Sequence, residues 1–135
     1  MTDYVLGFYF TPKHVLLILK DKPEWQKGLY NGLGGKIEPG ETQYEAMVRE
    51  FKEESGLDVC DWQSVLIMKN DTIGFSVEIF AAHGDELKPT GSAEEPVRYF
   101  DCNKLPSNII PNLKWLVPIC YEKLFGQMNY EVHST

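Results

Sequence analysis

Residues 31–40 hold four glycines and a proline, Asn-Gly-Leu-Gly-Gly-Lys-Ile-Glu-Pro-Gly, a density that forces the backbone into conformations other residues avoid. A helix must begin directly after it. Thr42 is a good N-cap, Glu45 three residues later completes a capping box, and Gly56 supplies the stop. At 3.6 residues per turn Tyr44, Met47, Val48 and Phe51 share one side, which predicts the face that packs on a sheet. A glycine turn feeding a capped helix is the feature every other element has to accommodate.

That helix carries Glu50, Glu53 and Glu54 at spacings of three and four. Such spacing places all three on one side, where like charges repel by a few tenths of a kcal/mol per pair. Arg49 and Lys52 are expected to point more to the other side. Two readings stand: a plain acidic surface, or a site for a hard cation such as Mg²⁺ or Mn²⁺, which takes oxygen ligands. Gly34 and Gly35 let backbone approach an ion or a phosphate, and the Gly34 carbonyl is a further oxygen. Glu41 and Arg49 are placed to pair by a fold-back of the chain. Arg49 is one of two arginines against eleven lysines, which suggests a use for its rigid fork.

The rest of the 135 residues suits one domain, 1–135. Residues 4–10 and 14–20 read as strands joined by a turn at Thr11-Pro12-Lys13. Residues 59–69 and 73–82 read as two more, joined by a tight Asn70-Asp71 turn, and 97–101 as a short last strand. Residues 111–125 are helical in pattern, with Pro118 expected to kink or break the helix, and 126–135 are expected to fray. The sum is a mixed α/β sandwich. The net charge of −7 disfavours a nucleic-acid polymer or an anionic membrane as partner. Cys60, Cys102 and Cys120 have no close spacing and read as reduced, mostly buried thiols of a cytoplasmic protein. The start has no signal-peptide pattern, and no apolar run is long enough to span a bilayer.

Gly35, five residues, Glu41, seven residues, Arg49-Glu50, apolar Phe51, one residue, Glu53-Glu54, one residue, Gly56 and apolar Leu57 resemble the complete Nudix box. From this chain's composition, a chance match is on the order of 10⁻⁹ per start position. The resemblance implies an α/β/α sandwich with a central mixed sheet and metal-dependent hydrolysis of a nucleoside diphosphate linked to another group. By position, Glu50, Glu53 and Glu54 would bind Mg²⁺ (Mn²⁺ substituting) with Gly34 and Gly35 at the site. Glu41 and Arg49 would be the structural pair, with Gly56 closing the box, and Lys36 could reach a phosphate. Glu53 is the expected base, with Glu94 and Glu95 of the later loop as rivals or further metal ligands. That pair reads equally as an exposed acidic loop.

Residues 25–36 resemble the branch that cleaves nucleoside triphosphates, MutT-like enzymes in particular. There Asn31 would read a base edge; it reads equally as the turn residue before Gly32. The segment 110–115 resembles that branch's second base-recognition segment. It departs from the oxidised-purine enzymes in having Asn112 and Leu113 where they have two acids, and Ile110 where they have an aromatic. Trp25, Phe75 and Trp115 offer stacking surfaces, although Phe75 and Trp115 read also as core. The expected substrate is a purine deoxynucleoside triphosphate, cleaved to monophosphate and pyrophosphate. ADP-ribose, dinucleoside polyphosphates, nucleotide sugars and a non-catalytic nucleotide-binding module are the alternatives.

Overall fold

A computed structural model describes residues 2–126. Its axis is β1 (Thr2–Phe10), with β6 (Phe75–His83) parallel along its whole length. The other edge of β1 is divided. Tyr4–Gly7 pair with β4 (Leu33–Lys36), while Tyr9 and Phe10 pair with β2 (His14–Leu19) across the expected hairpin. β2 is shared in the same way: β7 (Val97–Asp101) pairs with His14–Ile18, and β3 (Tyr30–Asn31) with Ile18 and Leu19. β1 and β2 therefore part like the arms of a fork, and the glycine segment fills the gap. β5 (Gln63–Asn70) closes the sheet, antiparallel to β6.

Alternation along the strands feeds two cores. Val5, Tyr9, Leu16, Ile18, Phe80 and Ala82 face α1 (Gln43–Ser55), where Ala46, Met47 and Phe51 meet them. Phe8, Phe10, Val15, Leu17, Ile79 and Ala81 face α2 (Leu113–Phe125), where Leu113, Leu116, Val117 and Cys120 meet them. With both faces covered, β1 from residue 4 to 10 and β2 from residue 15 to 19 are apolar apart from Gly7, which is why they read as continuous runs.

Both α1 signals act as expected. Thr42 and Glu45 bond reciprocally, and Gly56 ends the helix at φ 76°. The buried face keeps Met47 and Phe51 and differs at three positions: Ala46 is buried, Val48 only partly, and Tyr44 is exposed, its hydroxyl donating to the Cys60 carbonyl. Tyr44 lies at the margin of the apolar stripe, where its ring reaches the loop after the helix. The strand expected from residue 59 starts at Gln63, because Val59 and Trp62 are spent filling the α1 core from a loop. The turn after β5 is wider than Asn70-Asp71. The Asn70 Oδ1 accepts from the Thr72 and Ile73 N–H groups, and Gly74 turns the chain back at φ 68°. α2 starts two residues later than expected and continues past Pro118, which lies on its exposed side. The cysteines are free as expected but not mostly buried: Cys120 is, Cys102 is half-buried and Cys60 is exposed. Burial pushes the Cys120 thiol up to about 12. Of the residues expected to fray, only Gly126 lies within the described part.

The fork sets the tolerance for side chains. A Cβ on Gly34 would overlap the Val5 carbonyl oxygen and come within 2.8 Å of the Leu6 Cα, both backbone. A Cβ on Gly35 would meet the Glu50 carboxylate at 2.6 Å, a side-chain end that can move. Gly34→Ala should therefore destabilise by about 1–3 kcal/mol or more, and Gly35→Ala by less. Urea unfolding of both variants measures the order.

Candidate active site

Arg49 organises the box. Nε and Nη2 hold Glu41 in a fork at 2.6 and 2.9 Å, and Nη2 also donates to the Lys36 carbonyl at 3.1 Å. Nη1 donates to Glu50 at 2.8 Å and to Glu53 at 3.2 Å. Five donor hydrogens thus meet five acceptors. The guanidinium curls toward the glutamates, against the expectation that it points away, because Glu41 and Lys36 close over it from the glycine turn. Lys52 does point away, to Asp58 at 3.3 Å. Glu41 is held low, at about 2, by the Arg49 hydrogen bond foremost and by the Glu38 N–H.

The three helix carboxylates occupy different surroundings. Glu53 is exposed; Glu50 lies against Gly35 with its side chain 15% exposed. Glu54 is turned to the fork, where its Oε1 accepts from the Gly34 N–H at 2.8 Å. Burial pushes Glu54 up to about 7; Lys20 and the Gly34 N–H oppose the rise, and Glu50 and Glu95 add to it. Burial likewise raises Glu50, against the pull of Arg49. Among the described residues no three His, Cys, Asp or Glu side chains converge as a ready metal cage, since Arg49 draws Glu50 and Glu53 to itself. The donor chemistry nevertheless fits a divalent cation: crowded carboxylate oxygens at a glycine turn, two of them raised by burial.

Glu94 and Glu95 separate. Glu94 is exposed. Glu95 accepts from the Asp21 N–H at 2.8 Å and the Lys22 N–H at 3.3 Å, and pairs with Lys20 at 3.4 Å. Burial alone would raise it; these partners together hold it below its ordinary value. Lys20 was not anticipated from the sequence, although alternation along β2 places it on the α1 side with Leu16 and Ile18.

At the other end of the glycine segment, the Asn31 Oδ1 accepts from the Gly32 N–H at 2.8 Å and its Nδ2 donates to Gln26 at 3.1 Å. Gln26, also not anticipated, belongs to the 3-10 turn Glu24–Gln26, in which Trp25 is exposed. Tyr30 pairs with Ile109, which carries the start of α2 to β3. Asn112 caps α2 without a side-chain capping bond, and Trp115 is 43% exposed. Phe75 stands apart near the Lys36 end, edge-on to Tyr4 at 6.3 Å, both on the α2 face of the sheet by alternation. The Lys36 side chain is exposed.

A fork of β1 and β2 filled by glycines, with an arginine-held glutamate helix beneath, is the arrangement of the Nudix fold. The NUDIX domain matches residues 2–118, and the chain belongs to the Nudix family as a Nudix pyrophosphohydrolase. The oxidized purine nucleoside triphosphate hydrolase of Danio rerio is 34% identical over 130 residues, covering 91% of this chain and 83% of that protein. Its Mus musculus counterpart is 32% identical over 125 residues, covering 89% and 80%. The NUDIX domain of Shewanella oneidensis NrtR, solved with ADP ribose, shares the fold with a TM-score of 0.76 at 18% identity, covering 90% and 87%. No helix among the described residues is long and apolar enough to cross a membrane.

Two expectations concern stability. Because Glu54 is raised in the fold, its favourable contribution is complete below its ordinary 4.5 and is lost as pH rises through about 7. Glu54→Gln should therefore be more stable than wild type at pH about 8, by on the order of 1 kcal/mol, in urea unfolding without added metal. Glu41 has the opposite sign: its contribution is present above 4.5 and lost as pH falls toward about 2. Glu41→Gln should melt lower than wild type at neutral pH, with the gap closing in acid.

Proposed function

We propose that the chain hydrolyses a purine nucleoside triphosphate, a deoxynucleotide foremost, to the monophosphate and pyrophosphate. The observation that carries this reading is the glycine segment itself. Asn31 stands at one end, beside the start of α2, and Gly34 and Gly35 meet Glu54 and Glu50 three and four residues on. At about 3.3 Å per residue that is about 10 Å, a span a nucleoside and its phosphates bridge. The two oxidized purine nucleoside triphosphate hydrolases that match over most of the chain support a purine triphosphate.

Glu50, Glu53, Glu54 and the Gly34 carbonyl would hold Mg²⁺, or Mn²⁺ in its place. When bound, the ion supplies the positive charge that the phosphate oxygens need as the anhydride breaks. Glu53, the solvent-reachable carboxylate, would take the proton of the attacking water, with Glu94 as the rival and Glu95 engaged by the 20–22 backbone. Arg49 holds the glutamates in place. Lys36 and Lys20 would face phosphate oxygens. Trp25 and Trp115 offer stacking surfaces, with Phe75 set apart at the Lys36 end, and Asn31 and Asn112 polar contacts to the base.

The test is hydrolysis of a panel of dATP, dGTP, 8-oxo-dGTP, dCTP and ADP-ribose. A purine triphosphate should be preferred, and preference for ADP-ribose would overturn the reading. Activity should vanish in excess chelator, and Glu53→Gln should lose most turnover while folding normally. Glu54 must shed its proton to bind metal, so at limiting Mg²⁺ activity should rise with pH through about 7, and more Mg²⁺ should move that rise to lower pH.

A further inference from the structure

Two cations divide the carboxylates of the site between them. Arg49 spends its donor hydrogens on Glu41, Glu50, Glu53 and the Lys36 carbonyl. Glu54 and Glu95 fall to Lys20. The Lys20 Nζ lies 3.4 Å from both Glu95 oxygens. Burial raises Glu54, and foremost among the groups opposing that rise is the Lys20 charge, ahead of the Gly34 N–H.

Both ends of the Lys20–Glu95 pair are rooted. The Lys20 N–H donates to the Leu29 carbonyl, and the Lys20 carbonyl accepts from the Gly28 N–H, both at 2.9 Å. The Glu95 carboxylate accepts from the Asp21 and Lys22 N–H groups, and the Glu95 N–H donates to the Ser92 Oγ at 3.0 Å. The two side chains are each 16% exposed, so solvent ions screen the pair little. Arg49 is caged by its partners, whereas Lys20 is a point charge on a flexible four-carbon stem. Its ammonium has three donors, and the two Glu95 oxygens leave one over.

That charge acts with opposite signs on the two ligands of the site. A divalent cation on Glu54 would face it as like against like, and triphosphate oxygens would face it as opposites. We propose that Lys20 couples metal to nucleotide: it opposes a divalent cation at Glu54 until phosphate oxygens engage the lysine, so that metal binds weakly alone and more tightly together with nucleotide. By linkage, metal then tightens nucleotide by the same factor. The inference rests on the metal and phosphate roles proposed for this site and not on which base is read.

The experiment titrates Mg²⁺ into nucleotide-free wild type and Lys20→Met by calorimetry at pH about 9, where Glu54 is ionised. Lys20→Met should bind Mg²⁺ roughly tenfold more tightly, while its KM for the preferred nucleotide at saturating Mg²⁺ rises roughly tenfold. A merely structural lysine would weaken both or neither, so the opposed signs identify the coupling. If Lys20→Met does not melt cooperatively, Lys20→Gln is read in the same way. An unchanged or weakened Mg²⁺ affinity overturns the inference, and so does an unchanged KM. If Glu54→Gln binds Mg²⁺ as wild type does, Glu54 holds no metal, and the metal reading falls together with this inference.

Discussion

The Arg49 guanidinium is the joint on which the site depends. Its five donor hydrogens tie the glycine turn, through Glu41 and the Lys36 carbonyl, to the helix glutamates Glu50 and Glu53. A lysine could supply the charge but not the planar fork that holds Glu41 with two bonds. With its side chain 23% exposed, the pair is shielded enough for those bonds to act as geometry rather than as a loose surface attraction. Three carboxylates on one helix side would otherwise repel; Arg49 offsets Glu50 and Glu53, and Lys20 offsets Glu54.

Glycine makes the second half of that joint possible. At Gly34 the constraint is backbone against backbone in the fork, and at Gly35 it is backbone against a carboxylate. These glycines permit approach rather than unusual dihedrals, since positive φ is confined to other glycines, such as Gly56 at the end of α1. The fork exists because β1 and β2 share only a short hairpin before each takes a different partner. The two cores on either side of the sheet keep both arms rigid while they diverge.

Charged and neutral polar side chains then fall at opposite ends of one short segment. Glu54, buried beside the Gly34 N–H and opposed by Lys20, marks the charged end. The Gln26–Asn31 amide pair, set beside the start of α2 by the Tyr30–Ile109 bridge, marks the polar, uncharged end. Glu95 links the two, because it pairs with Lys20 and caps the turn that leads to Gln26.

Local chemistry was legible in the sequence. The capping box at Thr42 and Glu45, the Gly56 stop, the strands read at 4–10 and 14–20 and the glutamate spacing need only near neighbours or a periodic pattern, and the Nudix family followed from the spacing of the box. What the sequence could not decide depends on groups far apart along the chain. Val59 and Trp62 look like strand until the α1 core claims them. Arg49 looks as if it faces away from the glutamates until Glu41 and Lys36 close over it. Lys20 and Glu95, or Gln26 and Asn31, carry no signal of each other, because a hydrogen bond between side chains depends on where the fold brings them and not on their spacing. The sequence by itself determined the helix, its carboxylates and the glycine turn, through rules that act within a few residues. Only the tertiary structure decided which carboxylate is buried, which lysine opposes it and which way the Asn31 amide points, since burial and hydrogen-bond partners are properties of the packed chain.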